Sequence, residues 1–143
     1  MKRPGFTLIE AVLVVALAGF LVYAGAVSFK QMVPKFRLQT GVREIGSALN
    51  QARFAAVWKG APMRVRFGPS AYVLESYDET AGTWRVTRSG RCEGVEVRAN
   101  NIPTFYPAGT VSDLATIYIS NSRGSYKITI AITGRIKTVK VGG

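Results

Sequence analysis

The sequence predicts an α+β protein, in which a long N-terminal helix, first membrane-spanning and then amphipathic, packs on an antiparallel β-sheet head. Three observations carry that prediction. They are an uncharged apolar run over residues 11–29, an apolar stripe at helical spacing from Leu38 to Ala56, and a change to period-two alternation after Gly60.

The run AVLVVALAGFLVYAGAVSF would span ~28 Å at ~1.5 Å per residue, close to the thickness of a bilayer's hydrocarbon core. Lys2 and Arg3 precede it, so the positive-inside rule leaves the N-terminus in the cytoplasm and sends the chain after Phe29 outward. A conventional signal peptide shares the basic start and apolar core, with Ala24, Gly25 and Ala26 as a small-residue site. Its core is normally shorter, whereas this run continues into a second helical pattern.

Glu10 sets the segment apart. A carboxylate deep in a membrane helix costs ~2.5 to 3.5 kcal/mol on insertion scales and calls for a partner. One local solution is a T-x-x-E capping box, in which Thr7 caps the first turn and Glu10 bonds back to the Thr7 amide.

Leu38, Val42, Ile45, Leu49, Ala52 and Ala56 recur at alternating steps of four and three, which draws one apolar stripe, and Gly60 and Pro62 end the helix. Pro34 lies between the two helical patterns, where a kink, a local opening or a break is expected. A continuous helix from Phe6 to Lys59 would hold 54 residues and reach ~81 Å, a stalk with a small head.

Beyond Gly60 the alternation predicts strands at Met63–Phe67, Tyr72–Tyr77, Trp84–Thr87, Val95–Arg98, Thr116–Ser120, Tyr126–Ile132 and Arg135–Val141. Ala81-Gly82, Ser89-Gly90, Arg123-Gly124 and Thr133-Gly134 are the expected turns, since glycine accepts the positive φ of tight connections. The domain plan is therefore residues 6–29 as the membrane half of the helix, 30–59 as its amphipathic half, and 60–143 as a β-rich head outside the cytoplasm.

Composition narrows the chemistry. The 143 residues hold no histidine and one cysteine, which excludes histidine-based triads, Cys/His zinc sites and any intramolecular disulfide. Cys92 is expected to be a small buried hydrophobe. No Walker A or G-x-G-x-x-G pattern is present and the carboxylates are scattered, so an enzyme is not expected and no cofactor or metal is called for. A net charge of +11 favours an anionic partner.

The string KRPGFTLIE, with its basic leader, glycine, phenylalanine, T-L-I-E and apolar run, resembles the prepilin processing site of the type IV filament superfamily. The resemblance implies that a prepilin peptidase cuts between Gly5 and Phe6, so that residues 1–5 are a leader and 6–29 are also the assembly half of the helix, and that the new amine on Phe6 is methylated. It also implies that Glu10 meets the Phe6 amine of a neighbouring subunit, where carboxylate and ammonium relieve each other's desolvation. The head adds TFYPAGT at Thr104 to Thr110, the strand ATIYIS, and SYKITIAITGRIK from Ser125 to Lys137, which look like the GspH/FimT family. That family comprises minor pseudopilins of type II secretion and minor pilins of type IV pili. The resemblance implies a type IV pilin-like fold, a life first in the inner membrane as a single-pass protein, and then assembly with other pilins or pseudopilins. The stretch from Gly68 to Ala99 carries no recognised motif.

Positive charge concentrates at the C-terminus, where Leu114 to Gly143 holds Arg123, Lys127, Arg135, Lys137 and Lys140 and no acidic residue, against six of each sign between Gly60 and Asp113. Arg135 and Lys137 share a strand face by parity, Ile136 points to the core, and Lys140 falls on the other parity. FimT-like proteins are associated with DNA uptake through a G-R-x-R type motif, matched here by Gly134, Arg135, Ile136 and Lys137, with lysine in place of the second arginine's bidentate fork. DNA is therefore one expected partner. An edge strand kept from aggregating by its charges is the competing account. Tyr118, Tyr126, Phe105 and Tyr106 are expected to pack rather than to stack on bases. Two functions follow from the resemblance, a FimT-like minor pilin that helps capture DNA and a GspH-type minor pseudopilin acting in protein export.

Overall fold

The computed structural model describes residues 7–142, with the side chains of all but 26–31 among them. Helix α1 spans Leu8–Lys59 and continues through Pro34. The break weighed from the sequence does not occur, because a proline removes one amide donor while its own φ suits a helix, and a long helix absorbs that loss within one turn. Gly60 follows with φ +65°, the left-handed conformation that ends a helix without strain when no Cβ is present.

By its contacts the chain divides into two units, one ending at Val33 and the other beginning at Pro34. In the first, Leu8–Gly25 is a single apolar helical stretch with mean hydropathy 2.3 and none of its residues buried. In the second, the rest of α1 meets nine strands, β1 (Met63–Gly68), β2 (Ala71–Asp78), β3 (Thr83–Arg91), β4 (Glu96–Ala99), β5 (Thr104–Phe105), β6 (Val111–Ser112), β7 (Thr116–Asn121), β8 (Gly124–Ile130) and β9 (Ile136–Gly142). Every pairing is antiparallel, in one sheet ordered β3-β2-β1-β5-β6 and another ordered β4-β7-β8-β9.

The predicted stripe is the helix's contribution to the core. Leu38, Ile45, Leu49, Ala52 and Ala56 are buried and Val42 packs partly against them, together with Met63, Val65, Leu74 and Phe105 of the first sheet and Val97, Ile117, Ile119 and Ile128 of the second. Each fully buried Val, Leu, Ile, Met or Phe among them contributes ~1.5 to 3 kcal/mol by leaving water. Gly41 lies on the same side of the helix, where an added Cβ would stand 3.0 Å from Val95 Cγ2 and 3.8 Å from Cys92 Cβ. Its lack of a side chain therefore lets the loop before β4 close on α1. The Asn121 side-chain amide donates to the Pro34 carbonyl at 2.7 Å, tying the β7–β8 turn to the first helical turn of this unit.

Two further details differ from the sequence expectation. Ser89-Gly90 is not a turn but part of β3, because Gly90 pairs with Tyr72 and a Cβ there would fall 2.4 Å from the Tyr72 ring. The glycine makes room for an aromatic side chain in the neighbouring strand. The strands β5 and β6 were not foreseen, since two residues each are too few for an alternation, and they form because β1 offers an edge at Met63 and Arg64. Cys92 is buried, as expected.

Candidate functional site

The N-terminal part of the site is a helix start. The Glu10 amide donates to the Thr7 carbonyl at 3.1 Å and to Thr7 Oγ1 at 3.4 Å, and the Ala11 amide donates to the same carbonyl at 3.2 Å, so Thr7 acts as the N-cap. Thr7 and Glu10 are thus brought together as the capping box requires of its hydroxyl half. The Glu10 side chain lies exposed among the exposed Leu8, Ile9 and Leu13, and it enters no ion pair among the described residues. Gly5 and Phe6 lie outside the described residues.

The C-terminal part is the β8–β9 hairpin. Ile128 and Ile130 turn into the core, so Lys127 and Thr129 face away from it, and the pairings Lys127↔Val139 and Thr129↔Lys137 put Lys127 and Lys137 on one outer face as diagonal neighbours. Lys140 pairs with Tyr126 and so belongs to the other face, as parity required. Arg135 is exposed just before β9 begins, its carbonyl accepting from the Ala131 amide at 2.9 Å, and it flanks the half-buried Ile136. Arg123 is exposed in the β7–β8 turn, where its amide donates to Asn121 Oδ1 at 2.9 Å. The seven residues of β8 separate that turn from the β8–β9 turn by roughly 20 Å at ~3.3 Å per residue, so the five cations do not converge on one patch.

The two head segments singled out in the sequence meet in space. Gly134 is buried at φ +74°, and a Cβ there would stand 2.7 Å from the Gly109 carbonyl oxygen and 2.8 Å from Arg53 Nε. Arg53 Nη2 also donates to the Thr133 carbonyl at 3.4 Å. The turn of TFYPAGT, the turn of TGRIK and α1 therefore share one corner, which glycine is required to close. Neither a protein-family model nor a curated protein sequence matches the chain. Solved structures do match it. The minor pseudopilin EpsH from the type 2 secretion system of Vibrio cholerae superposes with a TM-score of 0.63 at 12% identity, over 73% of this chain and 97% of that one. A second structure of that pseudopilin gives 0.62 at 13% identity, over 76% and 96%. The type IV minor pilin FimU of Pseudomonas aeruginosa gives 0.62 at 17% identity, over 73% and 90%.

The fold is type IV pilin-like. Within this pilin-like head the outer face of the second sheet holds more than the sequence suggested. Tyr118 pairs with Lys127 on one side and with Arg98 on the other, so Arg98, Tyr118 and Lys127 form a row across three strands. Arg98 escaped notice because its charge was balanced in sequence by Glu96, which it does bind at 2.6 Å. Of the four aromatics expected to pack, Phe105 is buried and Tyr126 rests on the core, whereas Tyr118 and Tyr106 remain 44% and 39% exposed. For Tyr118 the physical reason is its even position in β7, between the inward-facing Ile117 and Ile119.

The motif-poor middle of the pilin-like head proves to be ordered by charge. A register shift between Leu74 and Glu75 buries both, with the Glu75 carboxylate bridged to Arg64 and held 3.6 Å from Arg66 Nε. The Arg64 guanidinium also lies 4.2 Å above the Trp84 ring. Burial and the nearby Glu44 carboxylate push the Cys92 thiol up to about 11 and raise the Tyr72 hydroxyl as well. These are structural environments, and among the described residues no three Cys, Asp or Glu side chains group to hold a metal.

Proposed function

We propose that the chain is a minor subunit of a type IV filament-class machine, held in the inner membrane by the first half of α1 before it is assembled with other pilins or pseudopilins. The observation that carries this reading is Glu10 on an exposed apolar helix with no ion partner of its own among the described residues, leading into a pilin-like head. A carboxylate in hydrocarbon needs a counter-charge, and where the described residues of its own chain supply none, a neighbouring subunit can. In this reading a prepilin peptidase cuts after Gly5, the Phe6 amine is methylated, and Glu10 receives that amine from the adjacent subunit. N-terminal sequencing of mature protein from filament-producing cells should begin at Phe6. Glu10→Ala should abolish incorporation into sheared filaments while leaving the chain in the membrane, and normal incorporation of that variant would end the proposal.

The more specific role we favour is FimT-like, with DNA held electrostatically by Lys127 and Lys137 beside Tyr118, and Arg135 at the margin. The spread of Arg123 and Lys140 to another end and another face supports the second reading, a GspH-type pseudopilin whose surface charges guard an edge strand.

A further inference from the structure

The head carries an apolar surface that the core leaves exposed. Phe54, Val57 and Trp58 are 69%, 53% and 80% exposed, on the side of α1 turned away from the buried Ala52 and Ala56. The Phe54 and Trp58 rings stack at 6.2 Å with planes 11° apart, so each restrains the other's rotamers before any partner arrives. Arg53, one helical turn before Val57, holds the Thr133 carbonyl and touches the Gly134 position, which brings the β8–β9 turn with exposed Ile132 and Arg135 to the same corner.

The charge around this surface selects its occupant. Residues 45–59 and 131–135 contain Arg53, Lys59 and Arg135 and no carboxylate. On the Lys59 side an open cleft is shared with Asp78, Glu79 and Arg85, where Asp78 binds Arg85 at 2.8 Å, so the excess positive charge lies toward Arg53 and Arg135. A second copy would set those arginines against their own kind on a chain of net charge +11. A nucleic acid would leave the aliphatic Val57 and Ile132 facing phosphates, with which they have no favourable contact. Aromatic anchors with an arginine margin are the composition of protein interface hot spots. We infer that Phe54, Val57, Trp58 and Ile132, edged by Arg53 and Arg135, dock a different filament subunit through an apolar surface rimmed with carboxylates.

This inference rests on the filament-subunit reading and is tested within it. A photoreactive phenylalanine analogue replaces Trp58 in the full-length chain, expressed in filament-producing cells, and replaces exposed Thr87 as a control. Irradiation of sheared filaments should cross-link position 58, but not 87, to a distinct subunit identified by mass spectrometry as having an acidic head. Phe54→Ser and Val57→Asp should each lower that yield about tenfold without changing incorporation. Incorporation with an adduct to the chain itself, to nucleic acid or to lipid, or with no adduct, overturns the inference alone. Failure of the unmodified chain to enter filaments overturns the filament reading and this inference with it.

Discussion

Leu8–Gly25 and Leu38–Ala56 belong to one helix, yet the first is apolar all round and wholly exposed, while the second is apolar on one side and buried there. A helix that is hydrophobic on every side has no internal surface to choose, so its cover must come from lipid or other chains. A striped helix has chosen its cover already. The stability of the head should therefore depend on the second segment and be indifferent to the first, whereas membrane retention and assembly should depend on the first.

The sharpest way to break that comparison is a pair of equal truncations. Leu49→Ala should lower the unfolding free energy of the head by ~2 to 5 kcal/mol in urea titrations of the detergent-solubilised chain, because Leu49 is fully buried. Leu13→Ala, at 63% exposed, should leave that transition unmoved. Equal effects would mean that the two segments share one cooperative fold.

Gly134→Ala comes next, since it adds strain at φ +74° and a contact 2.7 Å from the Gly109 carbonyl. It should cost ~1 to 3 kcal/mol by the same titration, and the response of Arg53→Ala would show how much of that corner is held through α1.

A smaller effect is expected at the outer sheet face. If DNA is the ligand, Lys127→Ala and Lys137→Ala should each reduce the slope of log affinity against log salt by about one, measured by fluorescence anisotropy with duplex DNA, while Lys140→Ala on the other face should not. A slope near zero for the unaltered chain removes the DNA role and favours the pseudopilin reading.

The smallest effect concerns Cys92, which packs on α1 at Gly41. Its folded thiol, pushed up to about 11 by burial and then by Glu44, keeps its proton where the unfolded thiol would lose it. The unfolded chain binds fewer protons above pH 9, so stability is fully present below that pH and declines as pH rises toward about 11. Cys92→Ser should flatten that alkaline decline in urea titrations run from pH 8 to 11.

Much of the architecture was legible because it rests on periodicity. The stripe from Leu38 to Ala56, the end at Gly60 and seven of the strands follow from alternation and from glycine's tolerance of positive φ. What escaped was set by pairs distant in sequence. Gly90 reads as a turn until Tyr72 is placed across from it, and Arg98 reads as neutralised until Tyr118 and Lys127 line up beside it. Phe54 and Trp58 read as ordinary helix residues, since nothing local says which side of α1 the sheets will leave open.

The sequence by itself determined the two kinds of helix, the placing of the Glu10 carboxylate at the start of an apolar run and the excess of positive charge after Leu114, because each depends only on residue type and spacing. Only the tertiary structure decided how those charges divide, placing Lys127 and Lys137 on one face, Lys140 on the other and Arg123 at the far end. It also decided that Gly109, Gly134 and Arg53 share a corner. The reason is geometric, since strand pairing and sheet packing bring together residues whose separation along the chain carries no signal of their contact.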